Sequence, residues 1–107
     1  MDAISRKLRQ QPDFAEGRRQ AEAAIAGGSL EYRINGKLDW VTCEQAAAVL
    51  KERYGIHVRL GGHCLVQDAA LDEGFNERMA EEFLRRFERD VMAEVFREVE
   101  GKRKKRR

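Results

Sequence analysis

Residues 30–40 read Leu30-Glu31-Tyr32-Arg33-Ile34-Asn35-Gly36-Lys37-Leu38-Asp39-Trp40, and the fold turns on how this stretch is paired. Leu30, Tyr32 and Ile34 alternate with Glu31 and Arg33, the period of a half-buried strand. Asn35-Gly36 is a strong turn signal, and Leu38 and Trp40 begin a second alternation. A two-residue turn would oppose Arg33 to Leu38 and set the two apolar groups on opposite faces. Moving one residue into the turn opposes Ile34 to Leu38 and Tyr32 to Trp40, and both groups then face one way. The stretch therefore predicts a β-hairpin with a three-residue loop or a bulge. The alternative is an extended lead-in over residues 37–41.

Upstream, Asp13 and Glu16 have capping-box spacing just after Pro12, and Phe14, Gly17, Ala21, Ala24 and Ile25 follow at helical intervals. Gly27-Gly28 ends that helix. Downstream, Thr42 and Gln45 form a second capping box, and the helix through Val49, Leu50 and Tyr54 stops at Gly55. Ile56, Val58 and Leu60 alternate again, Gly61-Gly62 turns the chain, and residues 63–67 return. That second hairpin opposes Val58 to Leu65 and puts His57, Arg59, Cys64 and Val66 on the other face. Asp68 or Asp72 starts a last helix running to about Glu100, with Gly74 as either a separate turn or a close packing point.

The expected architecture is one α+β domain over residues 13–100. Short antiparallel β-hairpins pack against two short helices and one long C-terminal amphipathic helix, in the order α-ββ-α-ββ-α. Residues 1–12 read as a flexible basic lead-in and residues 101–107 as a disordered basic tail. At 107 residues the chain has room for one core, and its 37% charged residues exceed the roughly 25% of an average domain. No apolar run approaches the roughly 20 residues that span a bilayer, and the N-terminus has no signal-like apolar segment. Two cysteines allow one disulfide at most, so reduced thiols in a cytoplasm are expected.

The net charge of +2 hides an asymmetry. Lys102, Arg103, Lys104, Lys105, Arg106 and Arg107 are six consecutive cations, whereas the first 101 residues hold 15 basic against 19 acidic side chains, a net −4. Such a tail binds polyanions without sequence preference and with strong salt dependence. Nucleic acid or an acidic protein is the partner it suits. No aromatic residue interrupts the run to stack on bases.

Ala80, Leu84, Phe87, Val91 and Val95 form one stripe along the last helix, and Met92, Phe96 and Val99 add a second beside it. Two apolar stripes need cover, either from the chain's own core or from another copy. Leu84, Phe87, Val91, Met92, Val95, Phe96 and Val99 are accordingly the expected self-association residues of a homodimer. Glu81–Arg85 and Glu82–Arg86 have the spacing of exposed ion pairs.

Catalytic signals are thin. His57 and Cys64 would be diagonal neighbours across the second hairpin, a pairing that could activate a thiol, but no orienting group or oxyanion site accompanies them. Cys43, His57, His63 and Cys64 lack zinc-ligand spacing, so no metal or cofactor is expected. Thr42 to Leu50 resembles the first helix of a helix-turn-helix, yet a strand follows where a recognition helix should stand. Gly74 and Asn76, near the start of the long helix, read first as local structure; were the chain to hold a small-molecule or peptide site, this is the place for it. The sequence thus predicts a small non-enzymatic binding or adaptor protein with a polyanion-contacting tail. The alternatives are an interaction module with no nucleic-acid role and a thiol enzyme or redox protein using Cys64 with His57.

Overall fold

Pro12, whose fixed φ suits a first helical position, opens α1 (Pro12–Ala26), so Asp13 lies within the first turn. The helix ends as its glycines dictate. Gly28 takes a left-handed φ of 86°, and Ser29 N–H donates to the Ala24 carbonyl while Gly28 N–H donates to that of Ile25, a Schellman closure. The chain then forms β1 (Leu30–Asn35), α2 (Trp40–Tyr54), β2 (Ile56–Gly61), α3 (Val66–Phe87) and α4 (Val91–Lys105). The computed structural model describes residues 12–35, 40–61 and 66–105.

The strands are where expected, but their pairing is not. β1 and β2 form a two-stranded parallel sheet, with Leu30 beside Ile56, Tyr32 beside Val58 and Ile34 beside Leu60. Parallel neighbours need a crossover of a dozen or more residues, and α2 supplies it. The expected strand after Asn35-Gly36 does not reach Trp40, which already belongs to α2. Val66 and Gln67, expected to end the return strand of the second hairpin, are helical instead; residues 36–39 and 62–65 lie outside the described residues. Four helices and a two-stranded parallel sheet make an α+β fold among the described residues.

Alternation survives the change of partner. Leu30 and Ile56 are buried against Ala46 and Leu50 of α2, whereas His57 and Arg59 are exposed on the other face. α3 lies along the β1 edge remote from β2. There Asn76 clamps one strand residue at both ends: Arg33 N–H donates to Asn76 Oδ1 at 2.9 Å, and Asn76 Nδ2 donates to the Arg33 carbonyl at 2.6 Å. A side chain thereby takes the place of a third strand at that position and closes the edge. The Arg33 guanidinium stacks 3.8 Å above the Phe75 ring and pairs with Asp72 at 3.1 Å.

α1 and α3 cross at very short range. A Cβ added at Gly17 would fall 1.9 Å from the Leu71 carbonyl oxygen, and one added at Gly74 would fall 2.0 Å from that of Phe14. Gly74 is thus a packing point, the second of the two roles its position suggests. Beside the crossing, Arg18 donates to Glu77 at 2.8 Å and to both oxygens of Glu81 at 3.0 Å.

The long C-terminal helix is broken in two. Glu88 adopts a left-handed φ of 59°, which costs a non-glycine residue about 1–2 kcal/mol. Asp90 restarts the helix as its cap, its Oδ1 accepting from Ala93 N–H at 3.1 Å. A continuous helix over residues 66–105 would be about 60 Å long, well beyond the molecule's 44 Å extent. Folding back instead buries Val91 and Val95 completely, along with Val99, in the core shared with Leu50, Met79 and Phe83. That burial, about 1.5 kcal/mol or more per side chain, outweighs the local strain.

Candidate interaction surface

The α3–α4 elbow is held by polar groups at the end of α2. Tyr54 packs on Phe87 with ring centroids 4.9 Å apart, accepts from Arg89 Nη2 at 2.7 Å and donates to Glu94 at 3.3 Å. Arg89 Nε lies 2.9 Å from Glu94, and Arg53 reaches Glu98 at 3.1 Å. The Arg53 guanidinium holds the Glu98 carboxyl below its ordinary pKa. These contacts join α4 to the end of α2 at the surface, beside the buried valines.

The structure divides the seven residues expected to drive self-association. Val91, Val95 and Val99 lie in this chain's own core, and Phe87, Met92 and Phe96 are half-buried against it. Leu84 is 57% exposed. Around it, where α3 passes the start of α4, lies a largely apolar groove of about 300 Å³ walled by Phe83, Leu84 and Met92. Glu77, Glu81 and Asp90 also border the groove. The hydrogen bond from Arg18 holds the Glu81 carboxyl below its ordinary pKa.

The basic segment begins as structure. α4 continues to Lys105, four residues into the run of six cations, where the sequence predicted a disordered tail from residue 101. Two effects favour this: cations at a helix C-terminus complement the helix dipole, and Glu98 and Glu100 stand four residues before Lys102 and Lys104. No apolar residue follows Val99, Gly101 and Lys102 are exposed, and a Cβ at Gly101 would meet nothing within 4 Å. The helix continues past Val99, its last core residue.

The expected pairing of His57 with Cys64 falls partly outside the described residues: His57 is exposed on β2, and Cys64, with His63, lies beyond them. Cys43 is a buried free thiol whose pKa burial raises, which makes it a poor nucleophile. Among the described residues no group of three or more histidines, cysteines or carboxylates is placed to hold a metal ion, and no helix is long and apolar enough to cross a membrane. Asn76, marked by the sequence as part of a ligand region, is used by the Arg33 backbone.

Glu82 departs furthest from expectation. Its pairing with Arg86 is present at 2.6 Å, but the carboxylate is 2% exposed rather than solvated. Arg85 also hydrogen-bonds it, and Arg78 lies 3.8 Å away. The hydrogen bonds from Arg85 and Arg86 hold its pKa down to about 2. The Glu81–Arg85 pair is not formed, because Glu81 turns to Arg18 and Arg85 to Glu82.

No protein-family model matches the chain, and no curated protein or solved structure shows significant similarity to it.

Proposed function

We propose that this chain is a small non-enzymatic binding protein that contacts polyanions through the cationic end of α4. The observation that carries this reading is the continuation of α4 beyond Val99, with Gly101 and Lys102 exposed, into a run of six basic residues. Clustered lysines and arginines on such a segment neutralise phosphates and release counterions, which gives affinity without base selectivity. Nucleic acid is the polyanion of choice, and the cytoplasm, where a buried Cys43 stays reduced, is the compartment.

The test is fluorescence anisotropy with a random-sequence duplex, comparing the full chain with one ending at Gly101. Affinity that falls steeply with salt and disappears on truncation supports the reading. Binding unchanged by truncation refutes it.

Self-association has separate support. The α3–α4 groove leaves Leu84 exposed and Met92 half-buried, an apolar surface of the kind that homodimers cover. A second copy of the chain is the partner proposed for it. Light scattering at high micromolar concentration tests this directly: a dimeric mass is expected, and a monomeric mass removes the proposal.

A further inference from the structure

The α3–α4 groove combines two features that seldom suit the same ligand. Its walls are largely apolar, yet Glu77, Glu81 and Asp90 all border it, with Arg18 balancing part of that charge. Arg18 bonds Glu77 and Glu81, and Asp90 caps α4, yet a net negative charge remains that a purely apolar segment would not balance, and a compact cation would leave Leu84 and Met92 in water. Lysine and arginine satisfy both demands, because their aliphatic stems cover apolar surface while their heads stay with the carboxylates.

This chain supplies such residues itself. Lys102, Arg103, Lys104 and Lys105 continue α4 beyond its last buried residue, and Arg106 and Arg107 follow in the sequence. They cannot reach the groove of their own molecule. Asp90 and Met92 stand at the beginning of α4, and Lys102 lies ten residues further along the same helix, about 15 Å away and directed onward. The segment can fill the groove only of another molecule.

We infer that the groove between α3 and α4 receives the cationic C-terminal end of α4 from a second copy of this chain. Two copies related by a twofold axis exchange these ends reciprocally, so both grooves fill at once and the assembly closes as a dimer. This rests on the self-association proposed above and adds its chemistry: the contact is electrostatic at its edge and apolar at Leu84. Its affinity therefore falls with salt, by at least about tenfold between about 0.05 and 0.5 M, as the Debye length shrinks.

Charge changes on either side test the contact. Leu84→Lys cuts the groove's net charge from −2 to −1 and puts a cation in its apolar wall, and its exposure leaves the fold undisturbed. The triple change Lys102→Glu, Arg103→Glu, Lys104→Glu takes the tail from +6 to 0, which removes its attraction to the groove, and lies beyond the core. Sedimentation velocity at low salt should show the unaltered chain as a dimer, the triple variant as a monomer with unchanged circular dichroism, and Leu84→Lys as a weaker dimer. A triple variant that stays dimeric, or a folded Leu84→Lys that dimerises as tightly as the unaltered chain, overturns the groove–tail contact while leaving self-association by another surface standing. An unaltered chain that is monomeric at low salt overturns both. If Leu84→Lys does not fold, the triple variant decides alone: a dimer from it refutes the contact, and a monomer supports it.

Discussion

Gly17 and Gly74 make the α1–α3 crossing possible from opposite sides. Gly17 lies on the backbone of Leu71 and Phe75, Gly74 lies on that of Phe14, and neither has room for a methyl group. The atoms in the way are carbonyl oxygens and amide nitrogens, which cannot step aside as a flexible side chain would. Next to this crossing Arg18 joins Glu77 and Glu81, so the same approach of α1 to α3 brings a cation to two residues of the groove.

Gly17→Ala and Gly74→Ala should each destabilise the protein by about 3 kcal/mol, the upper end of the range for overpacking. Urea unfolding measures this. At an ordinary exposed helical site the same change would stabilise by up to about 1 kcal/mol, so the sign alone distinguishes the close crossing from a loose one.

Asn76 offers a sharper contrast, because it donates and accepts on the same strand residue. Asn76→Ala leaves both backbone groups of Arg33 without their partner and should cost about 1–3 kcal/mol. Asn76→Asp keeps an acceptor for the Arg33 N–H but turns a carboxylate oxygen toward the Arg33 carbonyl. Its loss at pH 7 should be at least as large as that of the alanine variant, and smaller at a pH where the new carboxyl is protonated. Equal stability of the aspartate variant and the parent at pH 7 would refute the clamp.

Glu82 sets an acid limit. Its folded-state pKa of about 2 lies below the ordinary 4.5, so its ionised form contributes stability that is complete above pH 4.5 and is lost as pH falls toward 2. With its arginine partners partly in solvent, the contribution is about 1–3 kcal/mol. Glu82→Gln should therefore lower the thermal midpoint at pH 7 and flatten its dependence on pH between 4.5 and 2. A variant whose midpoint tracks that of the parent across this interval would show that Glu82 does not govern it.

The cationic end of α4 cannot occupy a neighbouring groove and a polyanion at the same time. Adding a short random duplex to the dimer should release monomers bound to duplex, and analytical ultracentrifugation with separate detection of protein and nucleic acid reads this. A stable complex of intact dimer with duplex through the same residues would contradict exclusive use of the tail.

The sequence carried the facing of side chains more faithfully than their neighbours. Alternation placed Leu30 and Ile56 inward and His57 and Arg59 outward, as found. A period of two specifies a face but not a partner strand, so the hairpin at Asn35-Gly36 and the crossover through α2 were equally compatible with it. The helix break escaped notice because Glu88 is neither glycine nor proline; the legible sign was Asp90 directly before Val91, the cap of a new helix. The Asn76–Arg33 clamp joins positions 43 residues apart and has no local signature. Of the candidate surface, Leu84 and Met92 were legible from their stripes. The division between core and exterior was not, because it depends on how α4 folds back onto α2.

The most direct test of the whole account is the mass of the protein with and without its cationic end. Sedimentation equilibrium at about 50 μM and low salt, where surface charges act over tens of ångströms, should report a dimer for the full chain and a monomer for the chain ending at Gly101. A full chain that sediments as a monomer, or a truncated chain that remains a dimer, would contradict it.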